Sequence, residues 1–388
     1  MPVQRVAVVG GGIGGLTTAL ALHDRGFAVA VFEQARHLTE TGAGLQVAPN
    51  AGRVLHHLGL GAALATSGDE AGITTMRHGR TGDTLRVVNH ATLRERHGLP
   101  QYRPHRADLQ AMLAEALARR DPTALRLGRR LAAATPGPDG VELRFEGGQT
   151  DWADLLVAAN GIRSGVRDEL FPSGGALRFT GYTAWRGLIP AGRLPAALHR
   201  AEISFGFGRF LIHYPIRHGT LINVAAFVRT DAWIEEGWRI AGCPDELREA
   251  FADYHADARE IIAQIPEETL FRWGLFGRPP LKRWVVDRIA LLGDAAHPML
   301  PYMAQGAAMA IEDAMLLARA LSAAGGDPDT GLARYEAARL PRANLVAQLS
   351  AAMGEMFTGD ADTYARDVDR SGGQTPGLLE YDPVTAPV

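Results

Sequence analysis

VQRVAVVGGGIGGLTTALALHDRGFAVAVFE, residues 3–33, decides the fold of this chain. It reads as an apolar strand, a glycine turn, a helix of about 12 residues and a second strand closed by Glu33, the order of a βαβ unit. Gly10, Gly12 and Gly15 have the spacing GxGxxG. With 45 glycines in 388 residues, chance alone supplies roughly 0.6 such spacings, so position must carry the reading. Here the glycines fall between strand and helix. The turn there needs unusual backbone angles, and the bare amides around Ile13 and Gly14 can meet a pyrophosphate at the helix start. Glu33, 18 residues after Gly15, ends the second strand. Its carboxylate suits the hydroxyls of an adenosine ribose. The stretch is a dinucleotide-binding start to a Rossmann-like α/β fold.

A second informative stretch, RIALLGDAAHPMLPYMAQGAAMAIED, occupies residues 288–313. Ile289 to Leu292 read as a buried strand, and Gly293 turns the backbone so that Asp294 presents its carboxylate to a sugar-like hydroxyl chain. A helix opens near Gly306 and runs through Ala307 and Ala308 into a strong helix-forming sequence. The positive end of its dipole suits a flavin ring that becomes an anion on reduction. Taken alone, the same residues are equally a strand, a turn and a packing helix.

Together these segments resemble the single-component FAD-dependent aromatic hydroxylases, the group containing p-hydroxybenzoate, salicylate, 3-hydroxybenzoate and 6-hydroxynicotinate hydroxylases. The resemblance runs from about residue 3 to 350. It includes TGAGLQVAPN at 41–50, HRADLQ at 105–110, VAANGIRSGVR at 157–167, YTAWRG at 182–187 and HYP at 213–215. It implies an FAD-binding domain of the GR2 type with an inserted antiparallel β-sheet substrate domain. The implied reaction is hydroxylation of a small phenolic or heteroaromatic ring by NADH or NADPH and O2, through a flavin C4a-hydroperoxide. The nicotinamide cofactor acts as a transient donor, because no second strand-linked GxGxxG is evident. Two other readings stay open: an FAD-linked dehydrogenase or oxidase, and a non-catalytic flavin-binding sensor.

Composition bounds the rest. A chain of 388 residues with 46% hydrophobic content suggests two domains. We expect the FAD-binding domain in 1–72, 100–177 and 273–356, the substrate domain in 73–99 and 178–272, and a poorly ordered tail in 357–388. Segments such as ISFGFG, RFLIHYPI and TLINVAAFV are short, aromatic or β-branched, and separated by glycine turns, as the substrate sheet requires. The formal net charge of −3 gives no basic excess, which argues against nucleic acid or an anionic membrane as partner. The single cysteine, Cys243, excludes an intramolecular disulfide and any cysteine-based metal site. No targeting segment is evident, and a cytoplasmic monomer or homodimer without metal is expected.

The resemblance also distributes roles. It places Arg106, Gln46 and Leu131 on the cofactor, beside the glycine turn, Glu33, Asp294 and the residues opening the helix at Gly306. In RFLIHYPI, Phe210, Ile212 and Tyr214 share one face and His213 lies on the other. In relatives the tyrosine face borders the substrate, so Tyr214 is the preferred proton relay and His213 the second choice. A tyrosine in a sheet core and a structural histidine remain the alternatives. Pro301 matches a position whose carbonyl lies beside the hydroxylated carbon, with Gln305 one turn on. Arg186 either pairs with a substrate carboxylate or is structural. Three positions depart from the pattern. Asn160 replaces an aspartate that serves both FAD and the nicotinamide, Phe210 stands where many relatives have histidine, and Gln46 replaces the histidine of the 6-hydroxynicotinate enzymes. Gln46 cannot act as a base, which argues against that substrate. Simple and decarboxylating hydroxylation remain equally open.

Overall fold

Val6, Ala7, Val8 and Val9 are all buried, which suits a strand covered on both faces. In the computed structural model, which describes residues 2–38, 43–172, 175–231, 233, 240–359, 361–363 and 377–388, the strand Arg5–Val9 lies inside a six-stranded sheet. Its neighbours are Ala28–Phe32 and Leu155–Ala158, both parallel to it. Leu125–Arg126 extends the sheet on one side, Ile289–Leu291 and Val285–Val286 on the other. The helices Ile13–His23, Arg106–Arg120 and Gly306–Ala323 pack together against this sheet.

A second, eight-stranded sheet is built around the strand Arg178–Pro190, which pairs with Leu221–Arg229 on one side and Phe271–Gly277 on the other. Arg209–Ile216, Ala201–Gly206, Ile73–His78 and Thr84–Asn89 continue it. One pairing departs from the antiparallel expectation, since Ala201–Gly206 runs parallel to Ile73–His78. The two strands come from segments more than a hundred residues apart in the chain, so no tight hairpin dictates their relative direction. The outer face of this sheet is covered by the short helices Pro244–Ala250 and Ala256–Ala263, whose Leu247, Ile261 and Ile262 complete a separate apolar cluster.

Two long helices lock the first body. Gly306–Ala323 carries adjacent, fully buried acids, Glu312 and Asp313, and Pro328–Thr358 carries the fully buried Arg339 opposite them. Arg339 donates to Asp313 Oδ1 at 2.7 Å and to Glu312 Oε2 at 2.6 Å. The second oxygen of Asp313 accepts from the Gly293 amide at 3.1 Å and meets His297 Nε2 at 2.5 Å. Glu312 also takes Arg342 at 2.8 Å and Asn50 Nδ2 at 2.7 Å. Burial alone would raise the Asp313 pKa, but His297 and Arg339 outweigh it and hold the carboxyl down at about 2.

The chain end differs from the expected poorly ordered tail. The helix continues to Thr358, and residues 377–388 pack back onto the first body. Arg53 donates to the carbonyls of Leu379 and Tyr381, Arg319 to those of Pro383 and Ala386, and Arg342 to that of Leu378. Tyr381 stacks 3.8 Å from the Arg342 guanidinium, and Leu378 is buried. A compositional reading of SGGQTPG misses this because the hydrogen bonds that hold the segment go to its backbone carbonyls, which any sequence supplies. Most of that motif, up to residue 376, lies outside the described residues.

Removing one partner of a fully buried ion network leaves the others unpaired. Arg339→Met should therefore destabilise the protein by about 3–5 kcal/mol in a denaturant titration. A loss within about 1 kcal/mol would show that the network is not a structural lock.

Candidate functional site

The site begins at the turn following Val9. Gly10 has φ +110°, and a Cβ there would sit 2.4 Å from the Ala159 carbonyl oxygen. A Cβ on Gly15 would lie 1.9 Å from the Gly10 carbonyl, so the helix packs on its own turn only because this position is bare. Gly12 is different, with nothing within 4 Å of its ideal Cβ, and it faces a cavity. The amide edge of Gly12–Gly14 is thus open at the start of the helix Ile13–His23, where a pyrophosphate is favoured by both the free N–H groups and the dipole.

The cavity, about 370 Å³, lies between this turn and the eight-stranded sheet. Gly44, Leu45, Gln46 and Arg106 form one side, and Gly293, Asp294 and the run from Met299 to Pro301 another. Gly306, Ala307 and Ala310 present the open end of the long helix to it. Just before this helix Ala304 adopts φ +53°, rare for a residue with a Cβ, and it too lines the cavity. The sheet contributes Arg186, Ile212, Tyr214, Ala225 and Phe227.

Asp294 opens onto this space, yet the surrounding protein disfavours its charge. Burial raises its pKa, opposed by His297 and Arg106. Burial likewise lowers Arg186 and raises Tyr214, each partly offset by the charge of the other. The Arg186 guanidinium lies 5.9 Å from the Phe227 ring centre.

Several expected residues sit behind the surface. The carboxylate of Glu33 accepts from the amides of Gly11 at 2.7 Å and Ala35 at 2.8 Å, so it braces the glycine turn. Gln305 caps the long helix and takes a hydrogen bond from Asn50 at 3.1 Å. Phe210 stacks on Phe227 with ring centres 4.4 Å apart and does not line the cavity. Nor do Leu131, on the strand Leu131–Pro136, or Ala308, buried inside its helix. Gln46 does line it, and its Oε1 accepts from Gln101 Nε2 at 2.8 Å. Gly161, one residue after Asn160, lines the cavity as well, while the Asn160 Oδ1 is buried without a partner among the described residues.

His213 lies on the far face of its strand from Tyr214, beside the buried Glu202 on the neighbouring strand. Burial pushes its pKa down to about 4, against the attraction of Glu202, so it is neutral and remote from the cavity. The sequence reading missed Ala225 and Phe227, although their two-residue alternation in TLINVAAFV places them on one face. It also missed Leu300 and Ala304, for which no periodic signal exists. Among the described residues no cluster of three His, Cys, Asp or Glu side chains is placed to hold a metal ion, and no helix is long and apolar enough to cross a membrane.

Comparison with known proteins agrees with this architecture. A family model described as FAD binding domain matches residues 4–350. The 3-amino-4-hydroxybenzoate 2-monooxygenase PtnB3 of Streptomyces platensis is 42% identical, over 97% of this chain and 94% of its own length. The 6-hydroxynicotinate 3-monooxygenase of Pseudomonas fluorescens is 34% identical, over 89% and 90%. Klebsiella pneumoniae HpxO, solved complexed with FAD and uric acid, superposes with a TM-score of 0.83 at 27% identity, covering 98% of this chain and 93% of that one.

Two outcomes test the geometry. Gly12→Ala should fold normally and lose FAD affinity by about tenfold or more, roughly 1.4 kcal/mol, whereas Gly15→Ala should lose stability as well. Equilibrium dialysis and thermal melts separate the two, and equal effects at both positions would contradict the cradle. For His213 the folded pKa lies below the unfolded value. The unfolded state therefore binds more protons between pH 6.5 and about 4, and stability falls as pH drops through that window. His213→Gln should flatten that slope by up to about 1.4 kcal/mol per pH unit. An unchanged slope would mean that His213 is not buried in its neutral form.

Proposed function

Because the chain belongs to the FAD binding domain family, and within it to the flavoprotein aromatic monooxygenases, we propose that its substrate is a small phenol carrying a carboxylate, held against Arg186 and Tyr214. The observation that carries this reading is the joint presence of those two side chains on the sheet wall that faces the glycine cradle. A guanidinium that burial makes costly to charge gains most from a carboxylate partner. Tyr214, on the same wall, can relay a phenolic proton and leave the ring electron-rich. Support comes from the relatives, two of which are named for a hydroxybenzoate and a hydroxynicotinate.

The Gly12–Gly14 amides, Asp294 and the helix opening at Gly306 would hold FAD, which when bound would supply the redox and oxygen-activating chemistry with NADH or NADPH and O2 as co-reactants. The protein's own part is binding, proton handling and exclusion of water. Asp294 would accept hydrogen bonds from the hydroxyl chain of the cofactor, and the Arg106 charge favours its ionised form. Ile212, Ala225, Phe227, Met299 and Leu300 give the substrate space an apolar wall, which limits competing reaction with water. Pro301 borders the same space, and Gln46, with Oε1 engaged by Gln101, keeps its amide N–H groups available to an acceptor. The nicotinamide donor binds transiently at the surface, since the strand-linked glycine turn at Gly10–Gly15 is committed to FAD.

Two variants test this assignment in an assay that scores NAD(P)H oxidation together with product mass over a panel of hydroxybenzoates and their methyl esters. Tyr214→Phe should slow hydroxylation by about 10² to 10⁴ while FAD binding stays at the parent level. Arg186→Met should weaken carboxylated substrates by about 1.5–3 kcal/mol, roughly 10- to 150-fold in KM, and leave the esters unchanged. An equal loss for acids and esters would exclude the carboxylate contact, and a Tyr214→Phe enzyme at the parent rate would exclude the proton role.

A further inference from the structure

Tyr214 has a second cationic neighbour that does not line the cavity. Arg103, on the short strand Tyr102–Pro104, is 5% exposed, and its guanidinium carbon lies 5.2 Å from the Tyr214 ring centre. It donates to a neutral hydroxyl, Thr74 Oγ1, at 2.8 Å, and its Nε has no partner among the described residues. Asp69 is the nearest acid to bear on it, across the two-stranded pairing. That carboxylate is engaged elsewhere, by the His218 amide at 3.1 and 3.0 Å and by the His218 ring. A guanidinium buried this deeply without a carboxylate is expensive, and Arg339 shows how the same chain satisfies one that serves structure alone.

The surroundings of Tyr214 are donor-rich in the same sense. Asn223, directly opposite it on the adjoining strand, is fully buried, accepts the Gly44 amide at 2.7 Å through Oδ1, and leaves Nδ2 without a partner among the described residues. Gly44 runs so close beneath the tyrosine that a Cβ there would lie 2.9 Å from its hydroxyl oxygen. Thr74, while accepting from Arg103, meets His90 Nε2 at 3.0 Å. Burial and Arg103 push the His90 pKa down to about 4, so His90 is neutral there and shares one hydrogen bond with the Thr74 hydroxyl. His90, Thr74 and Arg103 thus form a fixed line ending behind the Tyr214 ring.

Resting on the reading of Tyr214 as the proton acceptor, we infer that Arg103 is a positioning residue, which stabilises negative charge on the Tyr214 oxygen from behind the cavity wall. The proton balance is simple. Tyr214 rests neutral, so it acts as a relay: its own O–H proton leaves to solvent as the substrate O–H proton passes to its oxygen, the bonding pair stays on the substrate oxygen as phenolate, and the Tyr214 oxygen carries negative charge only in transit. The groups facing Tyr214 are Arg186 from Arg178–Pro190 and Arg103 from Tyr102–Pro104, and those facing the two arginines are Arg106, Asp69 and His90. Burial opposes ionisation of Tyr214 and both guanidinia favour it. Arg186 is to be masked by the substrate carboxylate, which leaves Arg103 as the cation whose effect persists once substrate is bound.

The experiment places a fluorinated tyrosine, whose phenol titrates near neutral pH, at position 214 of the FAD-loaded protein and follows its 19F resonance against pH. Arg103→Met should raise the midpoint by about one pH unit or more, and Arg103→Lys should restore most of the shift. Thr74→Ala, which frees the guanidinium without removing it, should give a smaller shift in the same direction. It keeps the question answerable if Arg103→Met fails to fold. Midpoints unchanged in folded, FAD-loaded Arg103→Met, or in Thr74→Ala where that protein does not fold, would overturn the inference. The titration needs no turnover, so it stands apart from the hydroxylation rate of Tyr214→Phe, which tests the proton role itself.

Discussion

The structure depends on Arg339 lying between two adjacent buried acids. Glu312 and Asp313 occupy the same helix that opens onto the cavity at Gly306, so anything that fixes them fixes the cavity end of that helix. Asp313 reaches the Gly293 amide, one residue before Asp294, and Glu312 reaches Asn50, which bonds the capping Gln305. One guanidinium therefore ties together the turn bearing Asp294, the helix start and the second long helix. Buried charge is costly in isolation, and the satisfied network turns that cost into a single allowed arrangement. Arg342 extends it to the chain end through Tyr381 and Leu378.

Against this rigid body the eight-stranded sheet offers a wall with two characters. Its apolar residues suit an aromatic ring and exclude water, while Arg186 and Tyr214 make one polar contact region on it. Burial shifts both away from their charged forms, and each partly offsets the other. A carboxylate on a ligand would offset the cost of the buried Arg186 charge, while Tyr214, which burial keeps neutral, would be free to hydrogen-bond a ligand hydroxyl. Specificity then follows from desolvation as much as from shape.

Much of this was legible in the sequence. The βαβ start, the Asp294 turn and the helix at Gly306 carry local signals, glycine spacing between strand and helix and a run of strong helix formers, and each is decided within about 30 residues. The tyrosine face of RFLIHYPI was legible from strand alternation, which put Tyr214 and Ile212 together and His213 behind. Less legible was anything set by distant pairing. The brace that Glu33 gives the Gly11 amide was not legible, because that bond depends on how the second strand closes on the turn. Gln305 and Phe210 turn inward because Asn50 and Phe227, far away in the chain, claim them. Arg103 sits in a three-residue strand with no periodicity to mark it, and the packing of residues 377–388 rests on backbone carbonyls that no side-chain pattern encodes.

Oxygen transfer to a carboxylated phenol is tested most directly by isotope incorporation. The FAD-loaded protein, supplied with NADH or NADPH and a panel of hydroxybenzoates under 18O2, should yield a ring hydroxyl bearing a single 18O atom, with one nicotinamide consumed per product. A substrate oxidised without nicotinamide, and with no label in the product, would contradict it and identify a hydride-abstracting dehydrogenase or oxidase instead.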